Sequence, residues 1–123
     1  MAKKIKITWL GKPEAHDYPA ALSYLSLLHD EKTARRLVDR LKMAAISEFK
    51  AKDIFRTSGL SLLGIGNSHV NVDWKKIKTG SGVSPLLLVR NEANGRVVIA
   101  DGYHRLCAVY SFDEDAVIPC KIV

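Results

Sequence analysis

The stretch Arg96-Val-Val-Ile-Ala-Asp-Gly-Tyr-His-Arg105 constrains this chain more than any other. Val97, Val98, Ile99 and Ala100 form an apolar, mostly β-branched run, the composition of a buried strand. Asp101-Gly102 ends the run, and Tyr103 to Ser111 has helical character. A strand that turns through glycine into a helix leaves the first backbone N–H groups of that helix without intrahelical acceptors. Together with the positive end of the helix dipole, those groups make an anion site. His104 and Arg105 fall in the first turn, where an imidazole and a guanidinium fork can both reach a phosphate. The candidate phosphate site is therefore Asp101, Gly102, His104 and Arg105. Lys75, Lys76, Ser81 and Ser84, from the segment just upstream, are its candidate outer contacts.

The same residues also support a purely architectural reading. There Asp101 is an ordinary N-cap accepting from a backbone N–H two or three residues on, and Gly102 merely eases the turn. His104 is then a hydrogen-bonded core histidine, and Arg105 pairs with Asp113, Glu114 or Asp115. A strand–glycine–helix junction by itself does not separate the two readings.

Residues 84–123 resemble the ParB/sulfiredoxin-like superfamily. An apolar strand is entered through proline (Ser84-Pro85-Leu-Leu-Leu-Val89), and a second strand runs into a glycine and a basic pair (Val97 to Arg105). A helix beginning Leu106-Cys107-Ala108 follows, and Ile118-Pro119 opens a last strand ending at Val123. Gly102-Tyr103-His104-Arg105 is similar to the Gly-Cys-His-Arg of sulfiredoxins and the Gly-Glu-Arg-Arg of ParB proteins. The resemblance implies nucleotide phosphates held by the glycine, the basic pair and the helix start, with ATP or another nucleoside triphosphate and Mg²⁺ as the implied cofactor. Tyr103 stands where sulfiredoxins carry their nucleophilic cysteine and ParB proteins a glutamate, so neither sulfinic-acid reduction nor ParB-type hydrolysis is implied. Residues 1–60 carry no such resemblance.

The 123 residues, 47% of them apolar, suit one domain with a real core. No apolar stretch approaches a membrane span and the start lacks a signal-peptide core, so a cytoplasmic location and no membrane partner are expected. In that setting Cys107 and Cys120 are expected to be buried free thiols. The formal charge is +6, and its excess lies early: residues 1–60 hold twelve Lys/Arg against seven Asp/Glu, residues 61–123 seven against six. Lys32, Arg35, Arg36, Arg40 and Lys42 offer weak, sequence-indifferent attraction to nucleic acid, but Glu31 and Asp39 are interleaved with them as on a solvated helix.

Along the chain, Lys3 to Leu10 alternates as a short strand with Ile5, Ile7 and Trp9 on one face. Pro19 opens an apolar, mostly buried helix containing Ala20, Ala21, Leu22, Tyr24, Leu25, Leu27 and Leu28. Asp30 caps a second helix, Glu31 to Ala45, with Ala34, Leu37, Val38 and Leu41 on one face. A third helix is expected from Ser47 to about Ser58, with Phe49, Ile54 and Phe55 inward. Leu60 to Ile65 reads as a strand or an extended packed loop, Val72 to Ile77 as a helix started by Asp73, and Lys78 to Ser84 as a flexible loop. Asn91 to Gly95 is a hairpin turn between Leu86–Val89 and Arg96–Ala100.

The expected fold is a compact α/β (α+β) single domain over 1–123. It has a small mixed sheet with packed helices, residues 1–60 mainly helical and residues 61–123 forming the ParB/sulfiredoxin-like core. No Cys/His cluster has metal-ligand spacing, so no structural metal is expected; Asp101 is a candidate ligand for an ion arriving with a nucleotide. Two functions follow. One is nucleotide-phosphate binding with phosphoryl transfer or a nucleotide-dependent switch. The other is a non-catalytic nucleic-acid or protein interaction module using the basic N-terminal helices.

Overall fold

The computed structural model describes residues 6–123. Four strands form one mixed sheet in the order β1-β4-β2-β3, with β1 Ile46–Lys50, β2 Leu86–Asn91, β3 Arg96–Asp101 and β4 Val117–Ile122. β2 and β3 pair antiparallel through the Glu92–Asn94 turn, β2 and β4 pair parallel, and β1 joins β4 antiparallel with Phe49 opposite Ile118.

The period of two along β2 sorts its leucines onto opposite faces. Leu86 and Leu88 meet α3 (Ala51–Ser58), α4 (Ser68–Lys78) and α5 (Tyr103–Phe112) in one core with Ile54, Val70, Leu106 and Ile118. Leu87 and Val89 meet α1 (Asp17–Leu28) and α2 (Glu31–Met43) in a second core with Leu25, Val38 and Leu41. The molecule is a mixed α+β domain with helices on both faces of the sheet, and β2 is buried on both.

Several expectations change. Ser47 to Lys50 is strand, not helix, because this segment finds its backbone partners across β4 and becomes the edge of the sheet. Among residues 6–10 pairing is limited to a single bridge between Trp9 and Val83, since the segment it meets is itself a glycine-rich loop; Ile5 lies outside the described residues. α1 buries only the stripe of Asp17, Ala21 and Leu25, leaving Tyr24, Leu27 and Leu28 exposed, because it contacts β3 and α2 along one side. Leu60 to Ile65 is an extended loop in which Leu63 packs on the core. α4 starts five residues before Asp73, where Asn67 Oδ1 accepts from the N–H groups of His69 and Val70 at 3.0 and 3.2 Å. No helix among the described residues is long and apolar enough to cross a membrane.

Candidate functional site

β3 delivers Asp101 to the end of the sheet, and Gly102 turns the chain into α5 at φ +108°. That backbone conformation favours glycine, and space confirms the need: a Cβ there would stand 2.8 Å from Leu86 Cγ and 2.9 Å from Arg105 Nη2. Among the described residues no side chain caps α5. Its first closing bond runs from the Leu106 N–H to the Gly102 carbonyl at 2.9 Å. The first-turn N–H groups of Tyr103, His104 and Arg105 are therefore left facing outward from the ladder.

Asp101 is not the N-cap; its carboxylate is taken by Arg105. Arg105 Nη2 donates to Asp101 Oδ2 at 3.1 Å and to the Pro85 carbonyl at 3.3 Å, and lies 3.9 Å from Oδ2 of Asp17. The expected partners lie elsewhere: Asp115 pairs with Lys52 at 2.6 Å, Glu114 accepts from Tyr110, and Asp113 follows the end of α5. Position explains the choice. Asp101 ends β3 just before Gly102 and Arg105 lies in the first turn of α5, so the two meet at the junction, whereas Asp113 to Asp115 lie at the far end of the helix. Arg105 Nε is buried without a hydrogen bond among the described residues.

Asp17, at the first turn of α1, is buried. Its Oδ2 accepts from Ser84 Oγ and from the Glu14 N–H at 3.1 Å. Ser84 is thereby committed to Asp17. Burial is the largest influence on the Asp101 carboxyl, pushing it above the usual carboxylate range against the pull of Arg105; nearby Asp17 pushes the same way.

Two depressions flank this ion-pair cluster. A small polar cleft of about 80 Å³ is lined by Arg105, Ser84, Asp17, Asp73 and Lys76 among others. Burial raises the Asp73 carboxyl, opposed by Arg105 and Lys76. On the other side a groove of about 390 Å³ is lined by Asp101, Gly102, Tyr103 and His104, with Tyr24, Leu60 and Ile99 as its apolar wall. The His104 ring lies 4.9 Å from that of His69 and 5.5 Å from that of Tyr103. Burial and the neighbouring His69 hold the His104 imidazole below the ordinary histidine range.

The structure thus brings together Asp101, Gly102, His104 and Arg105, and carries Lys76 to the Arg105 cleft. Lys75 and Ser81 line neither depression: Lys75 is exposed on α4, and Ser81 Oγ sits 3.4 Å from Thr79 Oγ1 in the loop. Sequence reasoning missed Asp17 and Asp73 as neighbours of Arg105. An aspartate before a helix-opening proline carries no mark of a contact with the far end of the chain.

For a nucleotide, the groove offers an apolar wall and open backbone donors. For a metal ion the fit is poor: Asp101 is engaged with Arg105, and among the described residues no three His, Cys, Asp or Glu side chains are placed to share an ion. Comparison with protein-family models, with curated proteins and with solved structures finds no match.

Proposed function

We propose that this chain is a nucleotide-phosphate-binding domain of the ParB/sulfiredoxin-like kind, with the phosphates received at the start of α5. One observation carries the reading: a helix of ten residues opens on Gly102 at φ +108° with no side-chain cap among the described residues, at the mouth of the groove that also holds His104. Uncapped N–H groups at the positive end of a helix are complementary to an anion. The likeness of Gly102-Tyr103-His104-Arg105 to the sulfiredoxin and ParB motifs supports the same reading from the sequence side.

In this reading His104 contacts phosphate as a neutral N–H donor, in keeping with its lowered proton affinity. Arg105 acts from beneath. Held by Asp101 and Pro85 through Nη2, it keeps a positive charge under the helix start. Tyr24, Leu60 and Ile99 offer the face against which a base rests. These groups supply binding and charge compensation, and no step is routed through a metal ion.

The test is a thermal-shift and calorimetric panel of ATP, ADP and GTP, each with and without Mg²⁺. A nucleotide at one hundred times its Kd stabilises the fold by about 2.7 kcal/mol, a readily measured shift. Binding by the parent that falls at least about tenfold in His104→Ala supports the site. Millimolar nucleotide without effect, or binding that His104→Ala leaves intact, overturns it.

A further inference from the structure

A second concave site lies on the α1/α2 side of the sheet, away from Gly102 and His104, and its charge is of one sign. Lys12, Lys42 and Lys121 line a pocket of about 480 Å³ together with Pro13, Tyr18 and Pro19, and no carboxylate is among the lining residues. These lysines come from three distant stretches: the segment before α1, the last turn of α2, and β4. Lys42 and Lys121 place their ammonium groups 5.7 and 5.9 Å from the centre of the Tyr18 ring. Among the described residues, acid partners are held by Arg35 (Glu31, 2.7 Å), Lys52 (Asp115, 2.6 Å) and Arg105 (Asp101, 3.1 Å). None of the three pocket lysines has an acidic partner within 4.0 Å among the described residues.

Lys121 has one structural duty: Nζ donates to the Lys42 carbonyl at 2.8 Å, closing the C-terminal end of α2. An ammonium has three donors, so two remain. Three like charges converging on one concavity repel each other, and a multivalent anion relieves that repulsion while gaining hydrogen bonds.

We infer that this pocket binds a compact oligophosphate, a ligand with two or more consecutive phosphates recognised through the phosphate chain alone. The volume exceeds what a single phosphate fills, and three ammonium groups suit a charge spread over several oxygens. Tyr18 offers no free platform for a base, since Lys42 and Lys121 already stand over its ring. Pro13 and Pro19 make the rim short of backbone donors, leaving recognition to the lysines. The inference does not depend on the α5 site, with which this pocket shares no lining residue.

Sodium tripolyphosphate is the probe, titrated into the full chain by calorimetry at ionic strength held constant with sodium chloride. Parent protein is expected to bind it with Lys12 and Lys42 as contacts, and the double variant Lys12→Gln/Lys42→Gln to bind at least about tenfold more weakly. Both lysines are exposed, so the double variant is expected to keep the parent's unfolding midpoint in the absence of anion. In the parent, backbone amide resonances of Ala15 and Tyr18 should shift with tripolyphosphate, an independent readout should the variant fold poorly. Sulfate at equal ionic strength binding as tightly as tripolyphosphate would overturn the inference. So would shifts confined to Gly102–Arg105, unchanged binding in the double variant, or a mixed-sequence oligonucleotide outcompeting tripolyphosphate at equal phosphate concentration.

Discussion

Arg105 Nη2 lies 3.9 Å from Oδ2 of Asp17, joining the start of the last helix to the start of the first. The pairing ties residues 1–60 to the part of the chain that holds the candidate site. Asp17 also receives Ser84 Oγ and the Glu14 N–H, so a single buried carboxylate ties its own segment and the one holding Ser84 to Arg105.

Removing that carboxylate should therefore be costly. Asp17→Ala leaves Ser84 Oγ without its acceptor, leaves the Glu14 N–H only the Ser84 hydroxyl to donate to, and strips Arg105 of one of two neighbouring charges. Breaking buried charged contacts of this kind costs about 3 kcal/mol. Ser84→Ala, which removes two hydrogen bonds, the one Ser84 Oγ donates to Asp17 and the one it accepts from the Glu14 N–H, but leaves the buried charge in place, should cost about 2 kcal/mol. Urea unfolding of both variants checks the order; Asp17→Ala within 0.5 kcal/mol of the parent, on the order of an ordinary surface change, contradicts it.

Gly102 is expected to tolerate no side chain. At φ +108° any β-carbon is strained, and here it also meets Leu86 Cγ at 2.8 Å. Gly102→Ala should lower stability by about 2 kcal/mol and Gly102→Val by more, because branching adds a second clash against an immobile core leucine. Leu86 is fully buried, so it cannot swing aside. Nucleotide binding should fall in Gly102→Ala even at temperatures where the variant remains folded, since the Cβ also crowds Arg105 Nη2 at 2.9 Å.

The second half of the chain was legible because its signals are local. Proline before a strand, a two-strand run across Asn91–Gly95 and the glycine at 102 each act over a few residues, and β2, β3, α5 and β4 lie where those signals put them. β1 was not legible: Ser47 to Lys50 is strand only because β4 supplies partners some seventy positions later. The apolar composition of α1 suggested a mostly buried helix, yet Leu27 and Leu28 face outward; composition fixes how apolar a helix is, not how many neighbours it has. At the site, the sequence offered Asp113, Glu114 or Asp115 as partners for Arg105 and Asp101 as an N-cap, whereas Asp101 holds the guanidinium. Asp17 and Asp73 are brought beside it by tertiary packing alone.

Cys107 should behave as a packing residue. It is fully buried and reduced, and burial raises its thiol above the ordinary range; Cys120 is pushed up to about 12 by the same cause. Native protein at pH 8 should resist iodoacetamide at both thiols and react at both once unfolded. Cys107→Ala should leave nucleotide affinity within about twofold while lowering stability by about 1 kcal/mol, the transfer cost of one buried sulfur-sized group. Alkylation of Cys107 in the folded state, or loss of binding without loss of fold, would mean the thiol faces the site.

His104 gives the pair of pH dependences that most directly probes the helix start. Its imidazole is depressed by burial and by His69, so the folded state holds a proton there less readily than the unfolded chain does. The stabilisation tied to the neutral ring is present above the ordinary histidine value of about 6.5 and is lost as pH falls through the lower, folded value. An anion bound beside the ring favours the protonated form and moves its proton affinity back up. Nucleotide should then bind more tightly as pH drops from 7.5 towards 5.5, by at most about tenfold per unit for one coupled proton. Because the ligand's own phosphate titrates in the same range, the informative quantity is the difference between the parent and His104→Gln, which keeps a donor but cannot charge. The variant should lose the pH-dependent gain in affinity and show a shallower loss of stability in acid. Parallel pH profiles for the two proteins, in binding and in unfolding alike, would place His104 outside the site.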